Sequence, residues 1–257
     1  MKNILSRNSI FAALLALVLL ATQSAQARSF KPDSKEYKTA KSALLSASVI
    51  VLGLPYTDVE INQRLVEFDA PPYNMGQKYD EGLKFSEAVD FLKLRLKKDS
   101  FDRILATNMA YLESMGRQGN DNERSYWQGR ILNEDKLWYA TMLPTFNDYV
   151  KTNKDERKAT INRVYLAVFG RPAKSTDTNY WLNRSENYRA MREANRQYLW
   201  SEAGKLELTA MLTMCYQKIS GKNEPMTDKA YQFFLFLHQK KKQTFEEIKK
   251  EYPTVKW

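Results

Sequence analysis

The sequence predicts an all-α chain of repeated helix–turn–helix modules, packed as an irregular bundle or a short solenoid. Three observations carry this. Apolar residues recur at spacings of three and four almost throughout, and no stretch alternates with period two between turn dipeptides. Gly53, Gly116, Gly170 and Gly221 each close an apolar run, and a capping residue follows each of them four to six positions on. Finally, Tyr111, Gly116, Arg117, Tyr126 and Trp127 match Tyr165, Gly170, Arg171, Tyr180 and Trp181 at one offset of 54 residues, without a gap.

The N-terminus reads as a secretory leader. Lys2 and Arg7 precede an apolar run from Ile10 to Ala21, and Ala25-Gln26-Ala27 is a small-x-small cleavage site, which gives a leader at 1–27 and a mature start at Arg28. The expected location is therefore periplasmic or secreted. No cysteine follows the cleavage site to take a lipid, and no later stretch is long and apolar enough for a span. The expected organisation is an N-terminal helical region at 28–100 and repeated modules at 101–257, divided near 101–153, 154–204 and 205–257.

The net charge of +10 falls to +8 once Lys2 and Arg7 are removed. Such a surplus points to an envelope or extracellular protein, an acidic polymer or a membrane surface as partner, and outside the cytoplasm nucleic acid ranks below these. The plainer reading is solubility plus a lysine-rich C-terminus. The single cysteine, Cys215, lies in an apolar run and reads as a small buried hydrophobe, with no partner for an internal disulfide. The single histidine, His238, would have to meet Cys215 in space to form a dyad, and no metal motif surrounds either residue. No cofactor is expected.

In chain order, Asp33 or Ser34 caps a first helix that stops at Gly53, and Thr57-x-x-Glu60 is a capping box for the second. Pro71-Pro72 opens an irregular stretch to Gly82, rich in glycine and tyrosine, that includes Tyr73 as a candidate contact residue. Ser86 and Ser100 are the expected caps of the next two helices, the second ending at Gly116. Asn120-x-x-Glu123 is another box, opening the helix of Tyr126 and Trp127, and Pro144 is expected to start a new turn or helix. Asp155 is the expected cap of the helix that ends at Gly170, and Ser175 or Thr176 that of the Tyr180-Trp181 helix. Tyr188 to Trp200 reads as a surface helix, Leu206 to Ile219 as an amphipathic one. Thr227 caps an apolar helix, Thr244-x-x-Glu247 boxes the last, and Pro253 ends it. At Gly221 the module keeps Tyr216, Lys222 and Tyr231, with Gln232 where tryptophan stood, while at Gly53 little is kept beyond Gly53 and Pro55.

A Tyr-x4-Gly-Arg run followed by Tyr-Trp ten residues after the glycine resembles the helical repeat of phycobilisome linker-like domains. It also resembles a related domain of unknown function in bacterial secreted and surface-layer proteins. The resemblance covers roughly 102–204, with Ser201-Glu202 matching the family's Ser-Glu ending. That family usually places aspartate four after the glycine and a second glycine three later, whereas this chain has Asn120 and Glu123, or Lys174 and Asp177. The resemblance implies an extracytoplasmic helical assembly module with no established catalysis.

Chemistry offers one rival. Glu113-Ser114 at a helix end is similar to the Glu-Ser of lytic transglycosylases, which makes Glu113 the candidate acid/base of a glycan-cleaving enzyme. The partner segments of that site are absent, and Ala167 replaces Glu113 one module on. There is no phosphate loop, no His-x-x-x-His and no Gly-x-Ser-x-Gly. A glycan-binding accessory is the related alternative. Trp127 and Trp181 read as core, Trp200 and Trp257 as candidate partner contacts, and Lys240, Lys241 and Lys242 as a basic end that is either a docking surface or a solvated face.

Overall fold

The computed structural model describes residues 34–69 and 84–257. The expected leader at 1–27, the irregular stretch at 71–82 and Tyr73 within it lie outside these. Among the described residues the chain is all-helical, with twelve α-helices and no strand. They are α1 (Lys35–Leu52), α2 (Asp58–Asp69), α3 (Phe85–Lys98), α4 (Ser100–Met115), α5 (Asp121–Asn133), α6 (Tyr139–Thr152), α7 (Lys154–Phe169), α8 (Ser175–Leu182), α9 (Tyr188–Leu199), α10 (Lys205–Ser220), α11 (Asp228–Gln239) and α12 (Phe245–Glu251). None is long and apolar enough to cross a membrane.

Two compact units divide the chain: Met1–Val49 with Pro55–Arg95, and Ile50–Leu54 with Leu96–Trp257. In the described part of the first, Phe68 meets Phe91 edge-on at 5.4 Å, and Glu67 accepts from both Arg64 and Arg95. The second unit holds a core of Ile161, Val164, Val168, Met191, Leu199 and Leu212, all essentially inaccessible.

Local chemistry explains most helix starts. Thr57 and Glu60 exchange bonds across the first turn of α2, and Asn120 and Glu123 do the same for α5. Thr227 accepts from Ala230 N–H, and Ser34 from Tyr37 N–H. Other starts differ from expectation. The cap of α4 is Asp99, not Ser100, and that of α7 is Asn153, not Asp155. Asn153 also ends α6, so a single residue serves both helices and leaves no linker. α8 begins after Lys174, whose N–H is taken by the Asp177 carboxylate, so neither Ser175 nor Thr176 is the cap. Glu87 does the same for Lys84 at the head of α3, which displaces Ser86. Pro144 does not start a helix: α6 already begins at Tyr139, and the proline sits inside it. α9 is more deeply packed than a surface helix: Met191, Asn195 and Leu199 are buried, and the helix packs on α7 and on α4.

Four glycines end first helices in the left-handed conformation: Gly53 (φ 84°), Gly116 (φ 70°), Gly170 (φ 72°) and Gly221 (φ 70°). In each case two further helices follow, so the chain runs as four successive helix triplets. The last three triplets, all in the second unit, interlock. α4 packs against its own third helix, α6, and against α9, the third helix of the next triplet; α7 packs likewise against α9 and α12.

The glycines lie at these joints. An added Cβ at Gly53 would stand 2.6 Å from the Tyr139 ring, one at Gly116 2.3 Å from Tyr188, and one at Gly170 2.6 Å from Phe245. Tyr139, Tyr188 and Phe245 are the first residues of α6, α9 and α12. Each ring therefore covers the glycine of the preceding triplet. Gly221 has no such cover, and a Cβ there meets nothing within 4 Å.

This contrast separates backbone strain from packing. Gly221→Ala is expected to cost only the left-handed penalty, about 1 kcal/mol. Gly116→Ala and Gly170→Ala add an aromatic clash and are expected to cost about 2–4 kcal/mol. Urea unfolding of the three variants measures the difference, and equal losses would show that the joints are not close-packed.

Candidate interaction surface

Arg117 and Arg171, which follow Gly116 and Gly170, each pair with carboxylates and also donate to a loop carbonyl one residue on, and neither bonds a carbonyl at the end of its own helix. Arg117 donates to Gln118 O at 3.1 Å and grips Glu123 through two bonds at 2.7 and 2.8 Å. The same guanidinium reaches Glu156 at 3.1 and 3.3 Å. Arg171 repeats this with Pro172 O, with Asp177 at 2.8 Å and with Glu207 at 2.9 and 3.1 Å. Glu156 and Glu207 are in the first turns of α7 and α10. Each clasp thus fastens the end of one first helix to the start of its own second helix and to the first helix of the next triplet. Arg163 extends the first clasp, donating to Glu156 at 2.7 Å and to Met115 O at 2.9 Å.

The electrostatics follow from this arrangement. The Arg117 hydrogen bonds hold the Glu123 carboxyl below the usual carboxylate range. At Glu156 burial pushes upward, but Arg117 and Arg163 together outweigh it and the carboxyl again lies low. Burial pushes the Tyr111 and Tyr165 phenols up to about 12, and the two rings lie under Arg117 and Arg171 at 5.0 and 5.2 Å.

The aromatic pairs split into a buried and an exposed member. Trp127 and Trp181 are buried, as expected of core residues. Tyr126 and Tyr180 are 60% and 55% exposed, stand edge-on against those tryptophans, and are each faced by an arginine, Arg130 and Arg184. In the last triplet Tyr231 and Gln232 do not take these places. The loop after Gly221 is two residues longer, so the sixth and seventh residues of α11, Phe233 and Phe234, stand where Tyr126-Trp127 and Tyr180-Trp181 stand in α5 and α8. Phe234 is buried against Tyr216, and Phe233 is 60% exposed.

Several partners escaped the sequence reading although they share the same offset of 54. Asn108 accepts from Gly119 N–H and Asn162 from Ala173 N–H, pinning the loop after each glycine. Arg103 and Arg157 are buried and donate to helix-end carbonyls, Arg103 to Leu96 O and Arg157 to Trp181 O. Extending the 54-residue comparison from aromatic to polar positions finds all of these, and Arg130 with Arg184.

The remaining candidates fall as follows. Glu113 Oε2 accepts from the Tyr139 hydroxyl at 2.7 Å and from Arg189 at 3.0 Å, an acceptor's position. Trp200 and Trp257 are half-buried against the core and spend their indole N–H groups on Gln243 O and Tyr252 O. Cys215 is buried beside Met211 sulfur, and burial pushes its thiol up to about 12. His238 Nδ1 faces Gln243, so the structure forms no Cys-His dyad. Lys240, Lys241 and Lys242 are exposed. No metal-binding group of three or more acidic, histidine or cysteine residues occurs among the described residues. A groove of about 420 Å³ opens beside Tyr126, lined by Tyr111, Trp127, Phe146, Tyr149 and Glu123.

Removing one clasp tests its role. Arg117→Met is expected to cost about 1–2 kcal/mol at neutral pH, a partly screened network rather than a buried pair. Because the folded-state carboxyls of Glu123 and Glu156 lie low, the contribution is complete above the unfolded carboxylate value, about 4.3, and is lost as pH falls through the lower folded values. The gap between wild type and Arg117→Met in urea unfolding should therefore narrow at pH 3 relative to pH 7.

The chain matches no protein-family model, no curated protein and no solved structure, so the functional reading rests on its own geometry.

Proposed function

We propose that the chain is an extracytoplasmic assembly protein that acts by protein–protein binding, built as a tandem array of interlocked three-helix units and without a catalytic step. The observation that supports this is the paired placement of Tyr126 and Tyr180. Each is a large, exposed, amphipathic ring, held rigid on a buried tryptophan and flanked by an arginine. Rigid tyrosine with adjacent arginine is the composition of binding hot spots, because it offers contact area at little entropic cost. The arrangement occurs twice, once in α5 and once in α8. The leader at 1–27 would deliver the array to the envelope, and Glu113, held as an acceptor, would serve the scaffold.

The test is capture from envelope extract with the mature chain as bait, read by mass spectrometry, together with the N-terminus of the cell-derived protein. The expected result is an N-terminus at Arg28 and a stoichiometric protein partner. Tyr126→Ser with Tyr180→Ser should lose that partner while shifting stability by no more than about 0.5 kcal/mol per site. Retention of the partner by the double variant would sink the hot-spot reading.

The aromatic groove favours a second reading, glycan binding, since sugar rings stack on exposed aromatic faces such as Tyr126 and Tyr149. Cosedimentation with purified cell-wall glycan, lost in Tyr149→Ser, is its expected signature. Glycan release that disappears in Glu113→Gln would mark the glycan-cleaving form of this reading.

A further inference from the structure

The outward face of α11 breaks the pattern set by α5 and α8. Where those helices carry Tyr126 and Tyr180, α11 carries Phe233. Three residues after the buried ring stand Arg130, in α5, and Arg184, two residues past the end of α8, and both lie over the aromatic pair; α11 carries Leu237 at that place. Phe236 is added beside them and is 75% exposed. The same fold is thus built twice with polar cover over this face and once without it, so the fold itself does not require an apolar surface here.

Charge frames the apolar residues. Lys229, Phe233, Phe236 and Lys240 follow spacings of four, three and four, which sets them in one line along the helix, with Leu237 beside it. Both lysines are exposed, and Lys241 and Lys242 follow at the helix end. The only carboxylate of α11 is Asp228, at its first position and about a quarter turn off this line.

We propose that this face of α11 docks the protein on the surface of a bilayer carrying anionic lipid head groups. Phe233, Phe236 and Leu237 enter the acyl boundary, and Lys229, Lys240 and Lys241 meet the head-group charge. A convex helix face with protruding rings needs no shaped receptor in a deformable apolar layer, and basic residues at both ends of the apolar line match an apolar medium beneath an anionic one. Lysine stems reach the head groups while the rings stay deeper. The inference does not depend on the protein–protein reading, and it assigns a different surface from Tyr126 and Tyr180.

The experiment reports on the face itself, so the apolar run Ile10–Ala21 does not confuse it. Gln232, exposed beside the stripe, is replaced by cysteine in the full chain and labelled with an environment-sensitive dye, the native Cys215 being buried. Vesicles of phosphatidylcholine alone and of phosphatidylcholine with about one-third phosphatidylglycerol are added. A blue shift with the anionic vesicles and little with the neutral ones is expected. Phe233→Ser with Phe236→Ser should abolish the shift, with an unchanged far-ultraviolet spectrum. Lys229→Gln and Lys240→Gln should each weaken apparent binding about fivefold. A label that stays in water with both vesicles, or a shift that survives the double serine variant, overturns the proposal. So does an equal response to soluble polyglutamate, which would reassign the face to an acidic partner.

Discussion

A left-handed glycine under an aromatic ring is the constraint on which the second unit depends. A first helix must turn sharply to release its second helix, and the left-handed conformation does this within one residue. The same glycine lacks a Cβ, so the ring that opens the third helix of the next triplet can lie directly on the turn, as Tyr188 does on Gly116. Any side chain at that place would push the third helix away and unseat a joint that buries the faces of α4 and α7. The arginine clasp acts at the same corner. It replaces what would be free carboxylates in the first turns of α5, α7, α8 and α10 by shared charge-assisted bonds.

The turn at Gly221 differs from the three before it. Gly221 keeps the left-handed turn but has no ring above it. Lys222 stands in the place of Arg117 and Arg171 and is exposed. Gln217 and Lys218 stand where Leu112 with Glu113, and Leu166 with Ala167, lie along the earlier first helices.

The class of the fold was legible because apolar spacing and glycine position are local properties. Gly53, Gly116, Gly170 and Gly221 all end first helices, and the boxes at Thr57, Asn120 and Thr244 all open helices. Starts were misread where the cap worked in reverse. Lys84 and Lys174 have no side-chain oxygen to offer, so a serine or threonine nearby looked better, yet Glu87 and Asp177 reach back to the backbone and fix the start. Asn153 was passed over for Asp155, two residues on, yet its side chain caps α7 while its backbone ends α6. The partners of Arg117 and Arg171 were half legible. A carboxylate six residues on is local, but Glu156 and Glu207 lie in the next triplet, and sequence spacing carries no signal that these helix starts converge on the preceding glycine.

The aromatic pair of the last triplet gives the sharpest lesson. Counting from Gly221 selects Tyr231 and Gln232, because the count assumes a loop of constant length. Counting from the helix start selects Phe233 and Phe234, and the buried contact with Tyr216 agrees. Loops absorb insertions at little cost, whereas a helix start is fixed by its cap and by the face it buries. In corrected register the substitutions become readable: tyrosine to phenylalanine, arginine to leucine, and a new phenylalanine at the most exposed position. The first two remove polarity from the solvent side and the third adds apolar surface, while Phe234 keeps the core contact inside. Exposed apolar side chains scattered over a surface need no explanation, but three gathered on one helix face, two of them where the earlier triplets place tyrosine and arginine, do. That concentration distinguishes α11 from α5 and α8, which share its architecture.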